Sequence, residues 1–139
     1  MQIEEPVFSP EHTPYDSIGG DAKVRAIVDA FYDTMDLEPR YARLREVHPG
    51  PLDSARDKLY WFLSGWLGGP QLYQEKFGHP RLKMRHMPFH IASVERDQWM
   101  ACMGDALAAC EVEPPIKMWL LKQLFGTADW MRNQPDAPA

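Results

Sequence analysis

The chain has 139 residues with 15 Lys and Arg against 20 Asp and Glu, a formal charge of −5. A chain of this length makes one domain that buries roughly two-thirds of its unfolded surface, and its acidic balance argues against a nucleic-acid partner. No apolar run approaches the roughly 18 residues needed to cross a bilayer, so no membrane association is expected. The two cysteines, Cys102 and Cys110, form neither a disulfide framework nor a zinc signature. They read as small buried hydrophobes in a reducing, cytoplasmic compartment.

Residues 1–14 begin acidic and carry Pro6, Pro10 and Pro14, so they read as a flexible arm, neither a signal nor a transit peptide. A helix is predicted over 21–35, where Val24, Ile27, Val28, Phe31 and Met35 fall at helical spacing after Gly19-Gly20. A short helix over 39–47 runs to the breaker His48-Pro49-Gly50-Pro51. Asp53 or Ser54 caps the next helix, whose inward stripe is Leu59, Phe62, Leu63 and Trp66 and which stops at Gly68-Gly69-Pro70. Residues 71–90 read as a loop with one or two helical turns. Asp97 is placed as the cap of a helix to about Cys110, with Trp99, Met103, Ala106 and Leu107 inward. Glu113-Pro114-Pro115 starts the last helix, with Ile116, Trp119, Leu120, Leu124 and Thr127 inward. Residues 133–139 read as a frayed tail. The fold class is all-α, with one domain over 15–132 and almost no strand alternation.

Chemistry must come from scattered residues. Five histidines occur, at 12, 48, 79, 86 and 90, without HExxH spacing or a Cys/His cluster. His86 and His90 are four apart, but Pro88 disfavours a helical Met87 and weakens a two-histidine face. No nucleophile elbow, P-loop or dinucleotide fingerprint is present. Arg81, Lys83 and Arg85 are either a solvated loop face or a clamp for anions beside His86, and periodicity does not choose between them. Tyr32 and Trp99, taken singly, read as packed aromatics.

Together these residues resemble the truncated haemoglobins, specifically group II. The strings that carry the resemblance are Tyr15-Asp16-Ser17-Ile18-Gly19-Gly20, Phe31-Tyr32, Trp66-Leu67-Gly68-Gly69-Pro70, Gly78-His79-Pro80-Arg81-Leu82, Met84-Arg85-His86-Met87-Pro88-Phe89 and Arg96-Asp97-Gln98-Trp99. The resemblance runs from Tyr15 to about Trp130 and implies a two-over-two helical sandwich enclosing haem b. It implies His86 as the proximal iron ligand, with Phe89 following it. Tyr32 and Trp99 correspond to the distal tyrosine and tryptophan, with Phe31 beside them. Leu59, Phe62 and Leu63 form the distal wall, and Ala55 falls where many globins carry a distal histidine. His48 falls at the corner where the family carries Phe or Tyr, a departure that adds a third distal polar group.

This assignment fits the chemistry. Neutral imidazole is the globin solution for haem iron, and its second ring nitrogen is expected to donate to a nearby carbonyl. Arg85 and Lys58 are expected to meet the haem propionates, with Lys83, Arg81 or His79 as substitutes. The expected ligands are the diatomics O₂, NO and CO. NO dioxygenase-like or peroxidase-like turnover, with an outside reductase, is one expectation. The alternative is a haem-based sensor or carrier that acts through a partner. The chain is expected as a monomer or homodimer.

Overall fold

The computed structural model describes residues 6–48 and 50–135. Pro49, residues 1–5 of the arm and residues 136–139 of the tail lie outside the described residues. The elements are α1 (Pro14–Ile18), α2 (Asp21–Leu37), a 3₁₀ turn (Pro39–Tyr41), α3 (Ala42–Val47), α4 (Asp53–Trp66), α5 (Leu72–Phe77), α6 (Leu82–His86), α7 (Ser93–Ala109) and α8 (Pro114–Trp130). No strand occurs among the described residues, only an isolated bridge between Ser9 and His12. The chain is therefore all-α.

Two helix pairs make the frame. α2 packs on α4, α7 packs on α8, and α2 joins the pairs by lying against α7. The predicted stripe of α2 is the buried one: Val24, Ile27, Val28, Phe31, Tyr32 and Met35. It meets Cys102, Met103, Ala106 and Leu107 of α7 and Leu120 and Leu124 of α8 in one core cluster. Each large apolar side chain removed from water here stabilises the fold by about 1.5–3 kcal/mol. Ion pairs cross the same α2–α4 contact, from Arg25 to Asp57 at 3.0 Å and from Arg56 to Asp29 at 3.2 Å. Solvated pairs of this kind contribute only about 0–1 kcal/mol each, so apolar burial drives the packing and the charges help fix its register.

Several boundaries differ from the sequence reading. α4 begins at Asp53 without side-chain capping, so Asp53 supports the helix as a first-turn charge. α7 begins four residues before Asp97. The backbone N–H of Ala92 donates to Glu95 Oε1 at 2.9 Å, a bond made from within the helix back to its start. That device escapes a search for capping residues, because the residue at the cap is alanine.

Much of the described part of the arm is docked. Phe8 meets Trp119 edge-on with ring centroids 4.7 Å apart. His12 Nε2 and Ser17 Oγ lie 3.1 Å apart, and Thr13 Oγ1 accepts from Asp16 N–H at 3.2 Å to cap α1. At the other end, Asn133, placed by the sequence in the tail, is hydrogen-bonded to the segment after His86.

Two glycines carry the turns between these pieces. Gly19 closes α1 at φ 118°, a conformation that L side chains rarely adopt. Gly69 has another reason: a Cβ there would stand 2.4 Å from the Tyr15 ring. Gly69→Ala should therefore push Tyr15 off α4 and cost about 1–3 kcal/mol, read as a lowered chemical-denaturation midpoint. An unchanged midpoint would show that Tyr15 yields freely.

Candidate functional site

A cleft of ≈ 540 Å³ opens between the end of α4, the turn into α6 and the end of α8. Phe62 and Trp66 line one side, Pro80 and Leu82 another, and Gly126, Thr127, Trp130 and Met131 close it. His86 lies one helical turn beyond Leu82 on α6. Its Nδ1 is 2.6 Å from the Leu82 carbonyl oxygen. A carbonyl only accepts, so Nδ1 carries a proton, and in the neutral ring Nε2 is the nitrogen with the lone pair. That is the state in which imidazole binds a metal.

His48 repeats the arrangement at the end of α3. Its Nδ1 donates to the Leu44 carbonyl at 3.0 Å, again four residues back. The loop that carries it is fastened by Arg45, which donates to the His48 carbonyl at 2.5 Å and to the Gly50 carbonyl at 2.9 Å. Arg45 is itself held by Asp36 at 3.0 Å. Burial draws the His48 pKa below its ordinary value. The Leu44 carbonyl opposes this, and the nearby Arg45 and His86 charges add to it.

Tyr32 comes from the buried face of α2. Its ring is edge-on to His48 at 5.8 Å and to Phe31 at 4.9 Å. The Arg56 guanidinium lies 5.9 Å from its centroid. Burial pushes the phenol above its ordinary pKa, with Arg56 partly opposing, so the hydroxyl stays protonated as a donor. Trp99 stands across Phe31, ring centroids 5.1 Å apart. The residue before it, Gln98, accepts from Leu44 N–H at 3.0 Å and ties α7 to the helix that ends at His48. Tyr32 and Trp99, from α2 and α7, therefore flank Phe31, and His48, at the end of α3, meets Tyr32.

The other sequence-predicted residues divide. Phe62 lines the cleft, and Leu59 packs against the core above it. Leu63 instead lines a small inner apolar space with Ile18, Val24 and Met103. Phe31 is completely buried and supports its neighbours. Phe89 is 6.5 Å from His86, ring to ring. Among the basic residues, His79 and Arg81 reach the cleft. Lys83 instead donates to the carbonyls of Trp130 at 2.6 Å and Arg132 at 3.1 Å. Arg85 donates to the Pro80 carbonyl at 2.8 Å and lies over the Tyr73 ring. Lys58 stands exposed on α4. The sequence reading missed Trp130 and Met131 as lining, although Gly126, Thr127 and Trp130 follow helical spacing.

The comparisons agree with this geometry. Residues 13–133 match the family model for bacterial-like globins. The chain is 37% identical over 126 residues to a group 2 truncated haemoglobin of Bacillus subtilis, covering 91% of this chain and 92% of the relative. Its fold superposes on a cold-adapted truncated haemoglobin from Pseudoalteromonas haloplanktis with a TM-score of 0.84 and 44% identity, over 88% of this chain and 98% of the other. It also superposes on a group II 2-on-2 haemoglobin from Agrobacterium tumefaciens with a TM-score of 0.85 and 37% identity, over 97% and 100%. The chain belongs to the bacterial-like globins, in the group II truncated branch with the two-on-two fold. Haem b is the cofactor of that family, and ligand binding at haem is its shared activity.

The residues present fit such a group. The cleft offers apolar and aromatic walls, a histidine one turn from the wall whose Nδ1 is engaged on a carbonyl, and the Arg81 guanidinium. The lowered His48 pKa has a consequence of its own. The folded state prefers the neutral ring, so its stabilising effect is full above the unfolded histidine pKa of about 6.5. It is lost as pH falls through that value toward the lower native one. Denaturation midpoints should fall between pH 7.5 and pH 5.5, and less steeply in His48→Phe. Equal slopes would mean that His48 is not desolvated.

Proposed function

We propose that His86 would hold haem b through its iron and that Tyr32, Trp99 and His48 would supply hydrogen bonds to a bound diatomic ligand. We further propose that the protein turns over reactive oxygen or nitrogen species, in NO dioxygenase-like or peroxidase-like reactions, rather than delivering oxygen. When bound, haem supplies an iron centre that takes O₂, NO or CO and exchanges electrons with it. The observation that carries the reading is the paired histidine geometry, each Nδ1 fixed on a carbonyl so that Nε2 is the nitrogen left to bind.

This chain's part is to orient donors. The Tyr32 hydroxyl, held protonated by burial, and the Trp99 indole N–H both donate to negative charge. His48 Nε2 accepts a proton and, once protonated, donates one. Each neutral hydrogen bond to a ligand contributes about 1 kcal/mol net, so two or three slow its escape about thirtyfold to 150-fold. A ligand retained that long suits redox turnover better than release. Arg81, with the His79 ring beside it in the cleft, is the cation best placed for the propionates, and exposed Lys58 is a further candidate. Turnover then depends on an outside reductase.

Oxygen dissociation from the ferrous protein tests the proposal. Tyr32→Phe and Trp99→Phe should each release oxygen about fivefold to tenfold faster. Fast release from the wild type, unchanged in both variants, sinks it.

A second reading is a sensor or carrier that works through a partner. Apolar side chains at and after α6 favour it: Met84 and Met87 are more than half exposed, as is Trp130 across the cleft. Nitrate yield from NO, oxygen and the protein with an added chemical reductant separates the two readings, since many equivalents of nitrate per haem support catalysis and no more than one supports the second.

A further inference from the structure

Helix α6 carries His86, yet it has five residues and none is buried. So short a helix is not stable by itself, and bonds from outside must place it. They come from the far end of the chain. Lys83 Nζ holds the start of α6 to the carbonyls of Trp130 and Arg132. Asn133 holds its end. Asn133 Nδ2 donates to the His86 carbonyl at 3.1 Å and to the Phe89 carbonyl at 2.8 Å. Its Oδ1 accepts from Ile91 N–H at 3.0 Å. Both amide donors and the amide acceptor are engaged, all on the six residues that begin at His86.

We propose that Asn133 is a positioning residue for the iron ligand, fixing the orientation of the His86 imidazole through the backbone that carries it. This rests on the reading that His86 ligates haem iron. The ring hangs from a backbone held at three points: its own Nδ1 bond to Leu82, the Lys83 ammonium before it and the Asn133 amide after it. Only the amide combines two donors with an acceptor at that place. Aspartate keeps the shape and the acceptor for Ile91 but puts a carboxylate oxygen opposite two carbonyls. The effect is local, because the backbone N–H groups of Asn133 and Gln134 still donate to the Ile91 carbonyl, at 2.8 and 3.1 Å. The C-terminal segment therefore stays docked when the amide is lost, while the turn from His86 to Phe89 is released.

The test compares the haem-loaded wild type with Asn133→Asp and Asn133→Ala. Hydrogen exchange should quicken about tenfold to a hundredfold at the Phe89 amide in both variants and at the Ile91 amide in Asn133→Ala, with amides of α2 and α7 unchanged. The iron–histidine stretching band of the ferrous protein, read by resonance Raman, should shift or broaden in both variants. The proposal is overturned if that band matches the wild type, whether exchange is unchanged locally or quickened throughout. A His86→Gly protein that keeps the wild-type band overturns instead the assignment of His86. Exchange at Phe89 and Ile91 reads the Asn133 contacts independently of that assignment.

Discussion

The site depends on one small interaction: the proton that His86 Nδ1 donates to the carbonyl of Leu82. It fixes which nitrogen is protonated, and so which nitrogen carries a lone pair. It also sets the plane of the ring relative to α6. An imidazole free to rotate would present either nitrogen in either direction, and binding a metal would then carry an ordering cost. His48, at the end of α3, obeys the same constraint through the Leu44 carbonyl. Two short helices, neither with much core of its own, therefore act as rigid mounts because each places a carbonyl four residues before a histidine.

The scaffold makes those mounts dependable. α3 is coupled to α7 by Gln98, and its loop is held by Arg45 and Asp36. α6 is coupled to the end of α8 by Lys83 and to the following segment by Asn133. The long helices supply buried apolar area, and the short ones are hung from them by polar bonds. Stability and function thus rest on different forces. A core substitution such as one at Met103 acts mainly on stability, whereas a change at Gln98 or Asn133 acts mainly on geometry.

Much of this was legible in the sequence. The stripes of α2 and α8 showed at the helical period because burial selects apolar residues there. The string Arg85-His86-Met87-Pro88-Phe89, with Tyr32 and Trp99, pointed to the haem family before any coordinates. Other features left no periodic trace. Phe8 meets Trp119 across most of the chain, and no local pattern shows that the arm is docked. The start of α7 was misplaced because Glu95 reaches back to Ala92 while Asp97 has the appearance of a cap. The basic cluster was ambiguous for a physical reason. Lys83 and Arg85 lie two and four residues from Arg81, yet they turn to backbone carbonyls and Arg81 to the cleft.

The account's central claim is that haem is held through His86 Nε2, and an optical titration tests it most directly. Haemin is added to the wild-type apoprotein and to His86→Gly, with and without free imidazole. The wild type should give a sharp Soret band at one equivalent. The variant should give a weak, shifted band that imidazole restores toward the wild-type spectrum. A variant that binds haemin as tightly as the wild type, with the same spectrum and no response to imidazole, would contradict the claim.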